Sequence, residues 1–159
     1  MIQHVWSVLC KSSVVDLDTN NLSLHEVVEE LQVDVNPKPD EAQAQVMVIP
    51  TAGILTLVTL LRREPGDQPC VGAARIRVLA PQGEELFTAL ETKLDLTKYK
   101  RVRLRANLQS VHVKGSGTHW LAIDLKDADS EFAQVAKVPV DIELRIAPSK
   151  PAAVQSAEK

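Results

Sequence analysis

Lys137-Val138-Pro139-Val140-Asp141-Ile142-Glu143-Leu144-Arg145-Ile146 decides how the rest of the chain is read. Val138, Val140, Ile142, Leu144 and Ile146 occupy every second position, and charged residues or proline fill the gaps. Successive side chains of a strand point to opposite faces, so this period places an aliphatic row on one face and a polar row on the other. Such a segment is a half-buried strand. Pro139 has no N–H to give to a ladder, which predicts a sheet edge at that point.

The same alternation recurs upstream. Ala74, Ile76 and Val78 alternate with Arg75 and Arg77; Leu86, Thr88, Leu90, Thr92 and Leu94 form another inward row; Val102, Leu104, Ala106 and Leu108 alternate with Arg101, Arg103 and Arg105. His4 to Val15, Val46 to Ile49, Ile54 to Leu61 and Leu121 to Leu125 supply further apolar strands. Turn chemistry separates them at Asp16 to Asn21, Glu64-Pro65-Gly66-Asp67, Pro81-Gln82-Gly83-Glu84 and Gly115-Ser116-Gly117. The pattern predicts an all-β fold, an antiparallel β-sandwich of about seven or eight strands. With 159 residues there is room for one domain, expected over 1–146, followed by an aperiodic stretch, 147–159, expected to be a mobile tail.

One segment argues locally against a purely β reading. Ser23 and Glu26 have the spacing of a capping box, and Leu24, Val27, Val28 and Leu31 lie at helical intervals. Local pattern alone therefore favours a short helix near 24–31.

Several stretches together resemble a family of short bacterial proteins of unknown function: His4-Val5-Trp6-Ser7-Val8-Leu9-Cys10, the turn from Asp16 through Asn20-Asn21 to Leu24, Leu61-Arg62-Arg63, Ala80 to Leu86, and Gly117-Thr118-His119-Trp120. The resemblance covers roughly residues 4–146. It implies a small β-sandwich similar in outline to calcium-dependent lipid-binding domains, and a strand over 22–33 where local pattern favours helix. It brings no catalytic residues.

Composition narrows the function. Forty-five per cent apolar residues exclude a disordered chain, and no apolar run approaches the roughly 20 residues of a membrane-spanning helix. Eighteen basic residues against 21 acidic ones give a net charge of −3, which argues against nucleic acid as a partner of the whole molecule. The apolar run at Val5 to Cys10 lacks a basic leader and is too short for a signal core. Cys10 and Cys70 are too few for a disulfide framework, so reduced thiols in the cytoplasm are expected. Trp6 and Trp120 read as core anchors.

Three constellations are candidates for chemistry. Asp16, Asp18 and Asn20 alternate as oxygen ligands do at the start of a calcium loop, but Val27 stands where an EF-hand needs its bidentate glutamate. If each connection simply reverses the chain, the 16–21 and 126–133 loops share one end, and Asp16, Asp18, Asp127 and Asp129 could converge on Ca²⁺ there. Arg101, Arg103 and Arg105 form a stripe, with Glu85 and Glu91 as candidate cross-strand partners and Arg75 and Arg77 as candidate extensions. Cys10 with His4 or His112, and Ser116 with His119, can be drawn as nucleophile–base pairs, but neither has an identifiable orienting carboxylate.

The expected function is a non-enzymatic interaction or structural module. It would have no obligatory cofactor and would dock a protein partner through loops, a sheet face or a strand edge, which could also pair with a second copy. A calcium-dependent binding domain is the alternative, and an uncharacterised hydrolase the third reading.

Overall fold

A computed structural model describes residues 1–35 and 45–146. The 147–159 segment expected to be a tail lies outside the described residues. Nine strands are present among them: β1 (Ile2–Val15), β2 (Leu22–Val27), β3 (Glu30–Val35), β4 (Met47–Arg63), β5 (Val71–Leu79), β6 (Glu85–Asp95), β7 (Arg101–Val113), β8 (Gly117–Asp127) and β9 (Ala133–Ile146). They form two sheets, a first of order β2-β1-β4-β7 and a second of order β3-β9-β8-β5-β6. The all-β sandwich expected from the alternation is what the chain builds.

Two details differ from the expectation. The 22–33 segment is two strands in two sheets, which raises the count above seven or eight. β2 pairs with β1 in the first sheet, and β3 pairs with β9 in the second, in parallel, so the sandwich is not purely antiparallel. Nor is there a helix near 24–31. Asn20 adopts φ 54° at the hairpin turn and Glu26 φ 53° at the end of β2, a region few non-glycine residues enter and no right-handed helix permits. Glu26 reaches Lys11 rather than a helix N-terminus. Val28 is buried and donates its N–H to the Leu9 carbonyl, while the Glu29 carbonyl accepts from Asp141 N–H. Pairing on both sides of this switch outweighs a helical preference worth only tenths of a kcal/mol per residue.

The interior follows the alternation except in β6, where two register shifts break the row expected from Leu86 to Leu94 and place Thr88 opposite the outward Arg77. Leu9, Leu57, Ala106 and Leu108 of the first sheet meet Ile76, Val78, Leu121, Ile123, Val140, Ile142 and Leu144 of the second. A second cluster of Ile2, Leu61, Ala74, Leu94, Leu96 and Leu125 fills one end. Each fully buried aliphatic side chain contributes roughly 1.5–3 kcal/mol. Arg63 seals that end, donating from Nη1 to the carbonyls of Leu96 at 2.8 Å and Thr97 at 3.0 Å and from Nε to Gly66 O at 2.9 Å. Gly72 lets β5 pass close to β8, since a Cβ there would lie 2.2 Å from the Lys126 carbonyl oxygen.

Pro139 sits at a local edge, as its missing N–H requires. β9 pairs with β8 at Trp120↔Pro139, but β3 joins β9 only from Asp141 onward. The tryptophans are not core anchors. Trp6 lies opposite Leu60, and Trp120 opposite Leu79 and Pro139; both are only half-buried.

The β1–β2 hairpin behaves as an arm. Its last β4 pair is Cys10↔Thr56. Asn20, in its turn, nevertheless accepts from Arg103, which sits level with Leu60 and Trp6. A straight β1 would carry Val15 nine residues past that row, roughly 30 Å, far beyond the reach of an arginine. The arm therefore curls back over the outer face of the first sheet. Beneath it, Val58 and Cys10, on the outward side, have no exposed surface.

Candidate interaction surface

β7 is the edge strand of the first sheet, and its alternation fixes what faces where. Val102, Leu104, Ala106 and Leu108 lie opposite Leu61, Thr59, Leu57 and Leu55 and point inward. Arg101, Arg103 and Arg105 therefore point outward, opposite Arg62, Leu60 and Val58. Arg101 and Arg105 are exposed, and Arg103 is half-buried against the arm. Its Nη1 donates to Asn20 Oδ1 at 3.0 Å and its Nη2 to Asn20 O at 2.9 Å. Among the described residues, no carboxylate lies within ion-pair distance of any of the three. Between the arm and β7 runs a groove of about 470 Å³ lined by Val15, Asn20, Leu60, Val102 and the three arginines.

Glu85 and Glu91 do not neutralise this stripe, because β6 belongs to the other sheet. Glu91 lies opposite Arg75, and Glu85 accepts from Arg77 Nη1 at 3.2 Å. Arg75 and Arg77 likewise do not extend the stripe. They stand on the outer face of the second sheet and close over Asp124, whose side chain is 1% exposed. Arg77 holds it through Nε at 2.6 Å and Nη2 at 2.8 Å, and Arg75 through Nε at 3.0 Å. Burial pushes the Asp124 carboxyl up, but the hydrogen bonds and charges of Arg77 and Arg75 together outweigh it and hold it below the usual range. The Arg75 guanidinium also lies 4.4 Å from the centre of the Phe132 ring. These two arginines are committed to structure.

The four candidate calcium ligands are not gathered into one site. Asp16 Oδ1 accepts from Thr19 N–H and Oγ1–H, both at 2.7 Å, and from Asp18 N–H at 3.1 Å, so it shapes its own turn. The Thr19 bonds hold its carboxyl below the ordinary value. Asp18 is exposed on the same turn, on the first sheet's arm. Asp127, in the second sheet, accepts from Ile2 N–H at 2.9 Å, and Asp129 is exposed in the following loop. Among the described residues no group of three or more histidine, cysteine or acidic side chains is placed to hold a metal. Parity fails because the 22–33 segment splits at Val28 and adds a strand.

Neither nucleophile–base pair assembles. Ser116 Oγ accepts from Leu144 N–H at 3.0 Å. His119 is buried and uses both ring nitrogens, Nδ1–H toward Gly117 O at 3.1 Å and Nε2 accepting from Lys114 N–H at 3.1 Å. Burial pushes its pKa down, which matches a neutral structural imidazole. Cys10 Sγ faces Thr56 O, His4 bonds Ser7, and His112 stacks on Phe87 with ring centres 4.2 Å apart. Burial raises the Cys10 thiol, the opposite of an activated nucleophile.

No protein-family model and no curated protein sequence matches the chain. No helix among the described residues is long and apolar enough to cross a membrane. Sequence reasoning found the stripe but missed the arm beside it. Strand length gave no signal for it, since β1 has 14 residues against 17 in β4 and 13 in β7.

Proposed function

We propose that the protein is a non-enzymatic interaction module that docks an acidic protein partner on the outer face of β7 and in the groove beside the arm. One observation carries this reading: Arg101, Arg103 and Arg105 share one face with no carboxylate paired to them among the described residues. The chain has more acidic than basic residues, so an unneutralised cluster of guanidiniums runs against its average charge. Arginine is also the residue suited to forked recognition of carboxylates. Pairing of this edge with a second copy is disfavoured, because two β7 strands would bring arginine rows together. The unpaired thiols of Cys10 and Cys70 support a reducing compartment such as the cytoplasm, in a bacterial source if the family resemblance holds.

The test is parallel affinity capture from a bacterial lysate with the wild type and an R101A/R103A/R105A variant, with and without a chelator. Acidic proteins retained by the wild type, lost by a variant of unchanged Tm and indifferent to chelation support the reading. Identical capture by both proteins refutes it.

A further inference from the structure

Resting on that reading, we propose a specific mode of docking: an extended acidic segment of the partner adds to the free edge of β7 as a fifth strand of the first sheet. β7 ends the strand order, and no backbone hydrogen bond reaches its outer edge among the described residues. The two faces at that edge ask for different side chains. Outward stand Arg101, Arg103 and Arg105, one every second residue, about 7 Å apart. Inward stand Val102 and Leu104, both only half-buried although they point between the sheets and pack on the core.

An incoming strand that alternates acidic and apolar residues satisfies both faces at once. Its carboxylates fall directly opposite the arginines, within cross-strand distance, and its apolar side chains cover Val102 and Leu104. Main-chain hydrogen bonds supply affinity and the alternation supplies selectivity, as in other cases of strand addition. Arg103 is partly held by Asn20, so Arg101 and Arg105 are the freer contacts. A helix or a compact acidic patch would meet the arginines but leave the inward apolar pair and the edge N–H and C=O groups untouched.

The experiment is fluorescence anisotropy with three labelled peptides on the full chain. The first alternates glutamate and valine. The second has the same composition with all glutamates grouped at one end. The third is the alternating peptide with every second backbone amide methylated, made in both registers. The alternating peptide should bind, and grouping the glutamates, methylating one of the two registers, or the R101A/R105A substitution should each weaken it about tenfold. If the grouped peptide binds as well as the alternating one and both depend on the arginines, strand addition is overturned and acidic docking survives. If no peptide binds while capture still depends on the arginines, strand addition alone is again overturned. If no peptide binds and R101A/R103A/R105A self-associates in sedimentation, the arginines guard the edge against pairing, and both proposals fall.

Discussion

Replacing Asp124 with asparagine tests how much the outer face of the second sheet depends on one charge. The carboxylate receives three N–H donors from two guanidiniums and is itself almost wholly covered. Breaking a buried ion pair by removing one partner costs about 3–5 kcal/mol. Here the orphaned partners are not fully buried: the Arg75 and Arg77 side chains keep 30% and 19% of their exposure. Both can recover water, and solvent already screens them, which brings the expected cost to about 2–3 kcal/mol. At roughly 2–4 °C per kcal/mol for a chain of this size, Tm should fall by about 4–12 °C. The sign with pH follows from the depressed carboxyl. Folding holds Asp124 ionised more strongly than the unfolded chain does, so its contribution is complete above about pH 5 and fades as pH falls below the ordinary aspartate value of about 3.9. The gap between wild type and Asp124→Asn, measured by calorimetry, should therefore narrow progressively as pH falls below about 3.9. A Tm loss under about 1 °C at neutral pH, or a gap that stays constant into acid, would show that the network does not work through charge.

Two further outcomes follow from packing. Gly72→Ala should lower the urea midpoint by an amount equivalent to about 2–4 kcal/mol, because the new methyl meets the Lys126 backbone. Gly66→Ala, with nothing within 4 Å, should change it by less than about 0.5 kcal/mol, and similar effects at both sites would refute the close approach. In a Cys70→Ser background, Arg103→Ala should speed the reaction of Cys10 with a thiol-specific disulfide reagent about fivefold, as expected if losing the Asn20 latch makes arm opening easier by about 1 kcal/mol. An unchanged rate would mean that Arg103 does not hold the arm.

The strands themselves were legible because alternation is a local property that burial enforces residue by residue. Val102 to Leu108 and Val138 to Leu144 sit with the faces their patterns assign. What neighbours what was less legible. Arg75 and Arg77 look like Arg101 and Arg103 in sequence, yet one pair encloses a buried aspartate and the other faces solvent and a hairpin turn. The distinguishing residue, Asp124, lies about 50 positions away in a strand whose partner alternation does not specify. The helix that local pattern alone favours near 24–31 does not form, for a related reason, and the strand implied there by the family resemblance is the nearer reading. A capping box and an i, i+3, i+4 pattern report only local energies, whereas Val28 and Glu29 are fixed by Leu9 and Asp141, one of them more than a hundred residues distant. The same switch undid the loop-parity argument for the four aspartates, since adding one strand reverses the direction of everything counted after it.

The union of β3 with β9 also sets a timetable for biosynthesis. Glu30 is made early, and its sheet neighbour Asp141 follows about a hundred residues later. At about 5–20 residues per second, a nascent chain holds β3 without its permanent companion for roughly 5–20 s. During that interval Leu31 and Val33 have no finished sheet to cover them. A ribosome-bound chain halted before Ala133 should therefore be a far stickier object than the released protein, and a natural client for a chaperone that shields aliphatic strands.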